Sequence, residues 1–181
     1  MGRVLFDDVR DRLSRWTPHA EAREAYEATV VLLDDGPAVL AKANPGAHVT
    51  ASALVVSHDL SEVLLCLHGK ARKWMQLGGH IEPGDATLLA AALREVAEES
   101  GLAGVQADPV PIDVDRHRAR CGGGEAWHHD VRFAFRAAPG ATPRVSDESL
   151  DLAWVPAGDL PEPLAAATAR LVPLAVGRFS G

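Results

Sequence analysis

Apolar positions change their period several times along this chain, and each change marks an element. Leu5, Val9, Leu13 and Trp16 recur at helical spacing and predict one amphipathic helix. Thr17-Pro18 reads as an N-cap followed by a first-turn proline. A second helix is therefore expected to run to about Leu33, where Asp34-Asp35-Gly36-Pro37 stops it. Val49 to Ser57 and Glu62 to His68 are apolar, β-branched-rich runs around the polar turn His58-Asp59-Leu60-Ser61, which predicts a hairpin. A Gly-rich loop follows, then a helix from about Thr87 to Ser100. Strand-like pieces between Gly104 and Arg116 are interrupted by Pro109 and Pro111, and Gly122-Gly123-Gly124 reads as a loop. Next, His129, Val131, Phe133 and Phe135 alternate with His128, Asp130 and Arg132, which predicts a strand with two unlike faces. Ala137 to Pro143 is a loop, Leu150 to Val155 a short strand and Pro161 to Gly177 a final helix. Strands mixed with helices predict an α/β sandwich. Residues 1–45 are expected to form a helical extension packed on the same domain, and residues 46–181 its main body.

Composition narrows the classes without naming one. The chain has 181 residues, 47% of them apolar and 24% charged, which is ordinary for a globular domain. No apolar run approaches the ~20 residues of a membrane-spanning helix. Met1 to Arg15 is dense in charge and lacks the apolar core of a signal peptide, so the cytoplasm is the expected location. Cys66 and Cys121 stand far apart, outside any Cys-x-x-Cys pattern, which argues against a disulfide framework or a zinc knuckle. The formal net charge of −7, without a basic stripe, makes a poor non-specific nucleic-acid binder. An acidic protein that handles a polyphosphate needs metal ions to mediate the contact.

The informative stretch is Gly78-Gly79-His80-Ile81-Glu82-Pro83-Gly84-Asp85 and the helix that ends Arg94-Glu95-Val96-Ala97-Glu98-Glu99-Ser100-Gly101-Leu102. Positions i, i+3 and i+4 share a helix face, so Glu95, Glu98 and Glu99 lie together, with Leu89, Ala92, Leu93 and Val96 opposite. Like charges at this spacing destabilise a helix. Anions in the last turn, before a C-cap at Gly101, also oppose the helix dipole, by ~0.3–1 kcal/mol each. A divalent cation relieves both penalties. Clustered carboxylate oxygens suit Mg²⁺ or Mn²⁺, whereas zinc prefers His or Cys. The bland alternative is a solvated acidic face, the commoner fate of a bare Glu-x-x-Glu-Glu.

Gly79 to Leu102 resembles the Nudix box, G-x5-E-x7-R-E-U-x-E-E-x-G-U with U aliphatic. Every fixed position of its second half is matched. In its first half Asp85 replaces the Glu, and the distance on to Arg94 is one residue longer. Trp74-x-x-Leu77-Gly78-Gly79-His80, and Ser146-Asp147-Glu148 ahead of Trp154, add to the likeness. The resemblance implies a Nudix-type α/β/α sandwich with a mixed sheet, over the domain 46–181. It also implies a hydrolase that cleaves a phosphoanhydride bond in a nucleoside-diphosphate-containing small molecule, with Mg²⁺ or Mn²⁺ as cofactor. By motif position, Glu95, Glu98 and Glu99 are the metal ligands, with the Gly78 carbonyl as a further one. Either Glu95 or Glu99 orients the water; the pattern does not choose between them. Arg94 orients the carboxylates, and Glu148 is the base or another ligand. Asp85 takes the place of a structural Glu, or caps the helix. Homodimers are common among relatives and are one expected state.

Other residues have competing readings. His128 and Asp130 share a strand face and His129 does not. Without a third ligand at good spacing, a separate zinc site is not expected. His128, Asp130 and Arg132 are assigned to the substrate pocket, against the alternative of solvated strand residues. His80 and Glu82 flank the box glycines and line the loop. Trp74 and Trp127 either stack on a base or pack in the core. Two other functions use the same fold: an isomerase of the isopentenyl diphosphate type, which needs a catalytic Cys, and a nucleotide-sensing module without turnover.

Overall fold

A computed structural model describes residues 2–121, 124–147 and 149–181. Among the described residues the helices are α1 (Arg3–Ser14), α2 (Arg23–Leu33), α3 (Leu88–Ser100) and α4 (Thr168–Phe179). The strands are β1 (Ala47–Val56), β2 (Glu62–His68), β3 (Trp74–Met75), β4 (Leu77–His80), β5 (Gln106–Ala107), β6 (Asp113–Cys121), β7 (Gly124–Arg136) and β8 (Ser149–Pro156). All eight join one mixed sheet: β1 and β2 form the expected antiparallel hairpin, while β1 and β7 run parallel from Ala47↔Trp127 to Val56↔Arg136. The far half of β1 pairs with β4, β6 pairs with β7, and β8 pairs with β2.

Strand parity sorts side chains to two faces. Ala51, Ala53 and Val55 of β1, Leu64 and Cys66 of β2, and Val131, Phe133 and Phe135 of β7 pack under α1, α2 and α3 in one core cluster. Leu54, Val56, Val63, Leu65 and Ala134 face the other way and meet Leu171, Val172 and Ala175 of α4. The result is the expected α/β/α sandwich. Leu5, Val9 and Leu13 of α1 belong to the first cluster. Asp8 also reaches across to accept from the Leu88 N–H at 2.9 Å, an anion at the positive end of α3. No helix among the described residues is long and apolar enough to cross a membrane.

Several boundaries differ from expectation. Thr17-Pro18 does not cap the second helix; a 3-10 turn at Ala20–Ala22 intervenes, and α2 starts at Arg23. The Gly-rich loop contains β3 and β4, short strands held by β2 and β1. The final helix begins at Thr168 rather than Pro161 because the preceding residues bond to β3: Trp74 N–H donates to the Pro163 carbonyl and Ala165 N–H to the Trp74 carbonyl, both at 2.9 Å. Gly122 and Gly123 lie outside the described residues.

Candidate active site

The box begins where β4 meets β1. Gly78 pairs with Ser52 at φ +149°, and a Cβ there would lie 2.2 Å from the Ser52 Cβ, so only glycine fits. The Gly78 N–H donates to Glu99 Oε2 at 2.8 Å. At Gly79 a Cβ would come within 2.9 Å of both Glu95 carboxylate oxygens. The two glycines thus let the backbone close against carboxylates arriving from α3.

α3 is tightly specified at both ends. Thr87 is its N-cap, accepting from the Ala90 N–H at 3.0 Å, and Gly101 closes it at φ +66°. Asp85 is therefore not the cap. It accepts from the Glu82 N–H at 2.7 Å and pairs with Arg94, whose Nε and Nη2 donate at 3.0 and 3.1 Å. The shorter Asp, with the extra residue behind it, still delivers a carboxylate to the arginine. Arg94 Nη1 donates to Glu95 at 3.0 Å and Glu98 at 2.8 Å, and Nη2 also donates to the His80 carbonyl at 2.8 Å. The Asp85 hydrogen bonds, more than the other acids, hold this guanidinium charged far above its ordinary range. One guanidinium faces three carboxylates, and Glu99 brings a fourth. Glu99 is buried and Glu98 exposed, so the acidic group runs from the sheet edge out to solvent. Hard oxygen donors in negative excess fit Mg²⁺ or Mn²⁺. Glu148 lies outside the described residues.

His128, Asp130 and Arg132 share one sheet face, as parity requires, but Asp130 and Arg132 are buried. Asp130 accepts from Thr50 and Ser52 at 3.0 and 2.8 Å, and Arg132 Nε donates to it at 2.8 Å. Arg132 also donates to Asp113 and Asp115, both at 3.1 Å, and Arg170 of α4 donates to the same two acids. Burial pushes the Asp115 and Asp130 carboxyls up. The His117 hydrogen bond and the Arg132 charge outweigh this at Asp115, and the Arg132 charge does so at Asp130, leaving both below the carboxylate range. Asp113, Asp115 and Arg170 carry no spacing signal. The register of β6 with β7, Asp113↔Arg132 and Asp115↔Asp130, brings in the two acids, and α4 brings Arg170 to them.

Contrary to expectation, further donors do surround His128. His48, His80 and Cys121 join it, with one ligand atom of each within 4.8 Å of all the others. Register explains the meeting: His48↔His128, Thr50↔His80 and Cys121↔Gly124. Desolvation lowers the His80 ring to about 4 and His128 to about 3, so both are neutral at pH 7. His129, on the opposite face, meets Thr29 Oγ1 at 2.9 Å. The Thr29 hydroxyl proton goes to the Ala25 carbonyl, so the His129 Nδ1–H is the donor. Trp74 packs in the α4-side core, whereas Trp127 carries Arg116 over its ring at 3.9 Å. Burial drives the Cys66 thiol up to about 12.

Comparison with known proteins agrees with the box. The human 8-oxo-dGDP phosphatase NUDT18 is 37% identical over 116 residues, covering 60% of this chain and 32% of that protein. The chain thus spans about a third of that relative's length. A MutT NUDIX hydrolase from Burkholderia pseudomallei superposes with a TM-score of 0.51 at 27% identity, over 70% of this chain and 95% of that one. A hydrolase of the NUDIX family from Clostridium perfringens gives a TM-score of 0.58 at 24% identity, over 72% and 97%. The family model for the NUDIX domain matches residues 46–175. With the box geometry above, that match places the chain in the Nudix hydrolase family.

Proposed function

We propose that this chain is a divalent-cation-dependent hydrolase that cleaves a phosphoanhydride bond in a nucleoside diphosphate derivative. The observation that carries this reading is the acidic end of α3: Glu95, Glu98 and Glu99 gathered beside Gly78 and Gly79, with Arg94 hydrogen-bonded to Glu95 and Glu98. These three glutamates, with the Gly78 carbonyl, would hold Mg²⁺ or Mn²⁺. Such an ion, when bound, neutralises phosphate oxygens and acidifies a water molecule. The chain's own groups do the positioning. Arg94 fixes Glu95 and Glu98 through Nη1, and ties the box loop to the helix through Asp85 and the His80 carbonyl. The Gly78 amide fixes Glu99. Glu148, on sequence position, serves as the base that takes the water proton. The buried Asp130–Arg132 pair supports the site from beneath in this reading.

The relative's name makes an oxidised nucleoside diphosphate the first compound to try. A screen with 8-oxo-dGDP, nucleotide sugars and dinucleotides, with Mg²⁺ or Mn²⁺, should show metal-dependent release of phosphate or of two phosphate esters. Tight nucleotide binding without turnover under every metal would favour the sensing module instead. Rearrangement without phosphate release would favour the isomerase. Against that last reading, Cys66 is a buried core thiol held protonated.

A further inference from the structure

Among the described residues, His48, His80, Cys121 and His128 gather donor atoms that the hydrolase reading does not use. They come from the start of β1, the end of β4, the end of β6 and the middle of β7. Parity and register put all four on one face, at the end of the sheet that α4 leaves polar. We propose that these four residues bind a zinc ion in a closed tetrahedral site.

Three observations support this. A tetrahedron with metal–sulfur bonds of about 2.3 Å and metal–nitrogen bonds of about 2.0–2.1 Å has sulfur–nitrogen edges of about 3.6 Å. Cys121 Sγ lies 3.3 Å from His80 Nε2 and 3.9 Å from His48 Nε2, on either side of that value. The His48, His80 and His128 rings stand at centroid distances of 4.6–5.1 Å from one another, a spacing compatible with three imidazoles around one ion. His128 Nε2 is buried with no hydrogen-bond partner among the described residues, an arrangement that is costly unless something binds it. The donor set excludes the cation expected at the box: imidazole and thiolate select zinc, whereas Mg²⁺ takes oxygen ligands. Four protein ligands leave no open position, the mark of a structural ion. Binding releases one proton, from the Cys121 thiol. The ion would tie the box to the sheet through His80, whose carbonyl receives Arg94.

The test is a metal assay on the full chain, independent of turnover. Purified without chelator and loaded with zinc, the protein should retain one zinc per chain through gel filtration in excess Mg²⁺. Cobalt in place of zinc should give a thiolate charge-transfer band. Cys121→Ser should abolish that band, and His128→Asn should lower zinc retention at least about tenfold; circular dichroism checks that each variant is folded. Glu98→Gln should keep the zinc while losing Mg²⁺-dependent hydrolysis, so the two assignments fail separately. A folded wild-type chain that retains no zinc overturns the proposal. So does zinc held equally by Cys121→Ser and His128→Asn, or a cobalt spectrum without the thiolate band. If a variant does not fold, the wild-type stoichiometry and cobalt band decide.

Discussion

Two acidic clusters in this molecule each gather carboxylates around arginine, and they differ in balance and burial. Under α4, Asp113, Asp115 and Asp130 meet Arg132 and Arg170, with His19 and His117 on Asp113 and Asp115. Asp113 is fully buried and its two oxygens are shared among three partners. At the box, Arg94 pairs with Asp85, Glu95 and Glu98, and Glu98 opens to solvent. The inner cluster is close to neutral and satisfied, so its chemistry is spent on holding β6, β7 and α4 together. Among the described residues the outer one brings together more carboxylates than arginines, an excess that suits a cation.

That contrast predicts opposite responses to substitution. The largest effect is expected inside. Arg132→Met leaves Asp130 buried without its arginine and removes one of three partners from buried Asp113, and should cost about 3–5 kcal/mol of stability, measured by urea unfolding. A loss below about 1 kcal/mol, the range of exposed pairs, would erase the distinction between the clusters. Next comes Glu98→Gln at the box. It should cut hydrolysis at least about 100-fold, since even partners behind the ligands cost that much. Its melting temperature should stay level or rise, because a like charge leaves the helix. Full activity in that variant breaks the metal-site assignment. Gly79→Ala, whose Cβ would sit 2.9 Å from the Glu95 carboxylate, should lower kcat about tenfold with a small change in melting temperature. An unchanged kcat would mean Glu95 can give way at no cost.

The smallest effect concerns pH. Burial lowers His129 to about 4. As pH falls below the ordinary histidine value of about 6.5, the unfolded chain takes up a proton that the folded ring refuses. Stability should therefore be intact above that value and decline from there toward pH 4. The inner acids do not share this window, since Asp115 and Asp130 ionise below the usual carboxylate range. His129→Gln should reduce the slope of unfolding free energy against pH in this range, leaving the share of the lowered His80 and His128 rings. An unchanged slope would assign it to other groups.

What could be read from the sequence follows from where the signal resides. The apolar, β-branched run of β1, the alternation in β7 and the helical face of α3 are local signals, so these elements and the gathering of Glu95, Glu98 and Glu99 were legible. β6 was legible only as strand-like pieces ending at Arg116: Asp113, Asp115 and His117 alternate with Val114, Arg116 and Arg118, which gives no apolar face to carry the strand on to Cys121. β3 and β4 were too short, and their Gly78 and Gly79 read as loop. The four residues proposed to bind zinc span positions 48 to 128 and meet only through the register of β1 with β4 and β7 and of β6 with β7. Parity correctly put His128 beside Asp130, but no spacing rule names a partner from another strand. The start of α4 was missed because Pro163 and Ala165 hydrogen-bond to Trp74, a contact set by the sheet and not by the segment itself.

The reach of Asp8 to the Leu88 amide has a practical side for anyone trimming the gene. The stretch that relatives share starts at residue 46, yet a fragment begun there would strip an anion from the head of the glutamate-bearing helix. It would also wet the core surface that Leu5, Val9 and Leu13 keep dry. The smallest piece that folds is therefore expected to be larger than the piece that homology outlines.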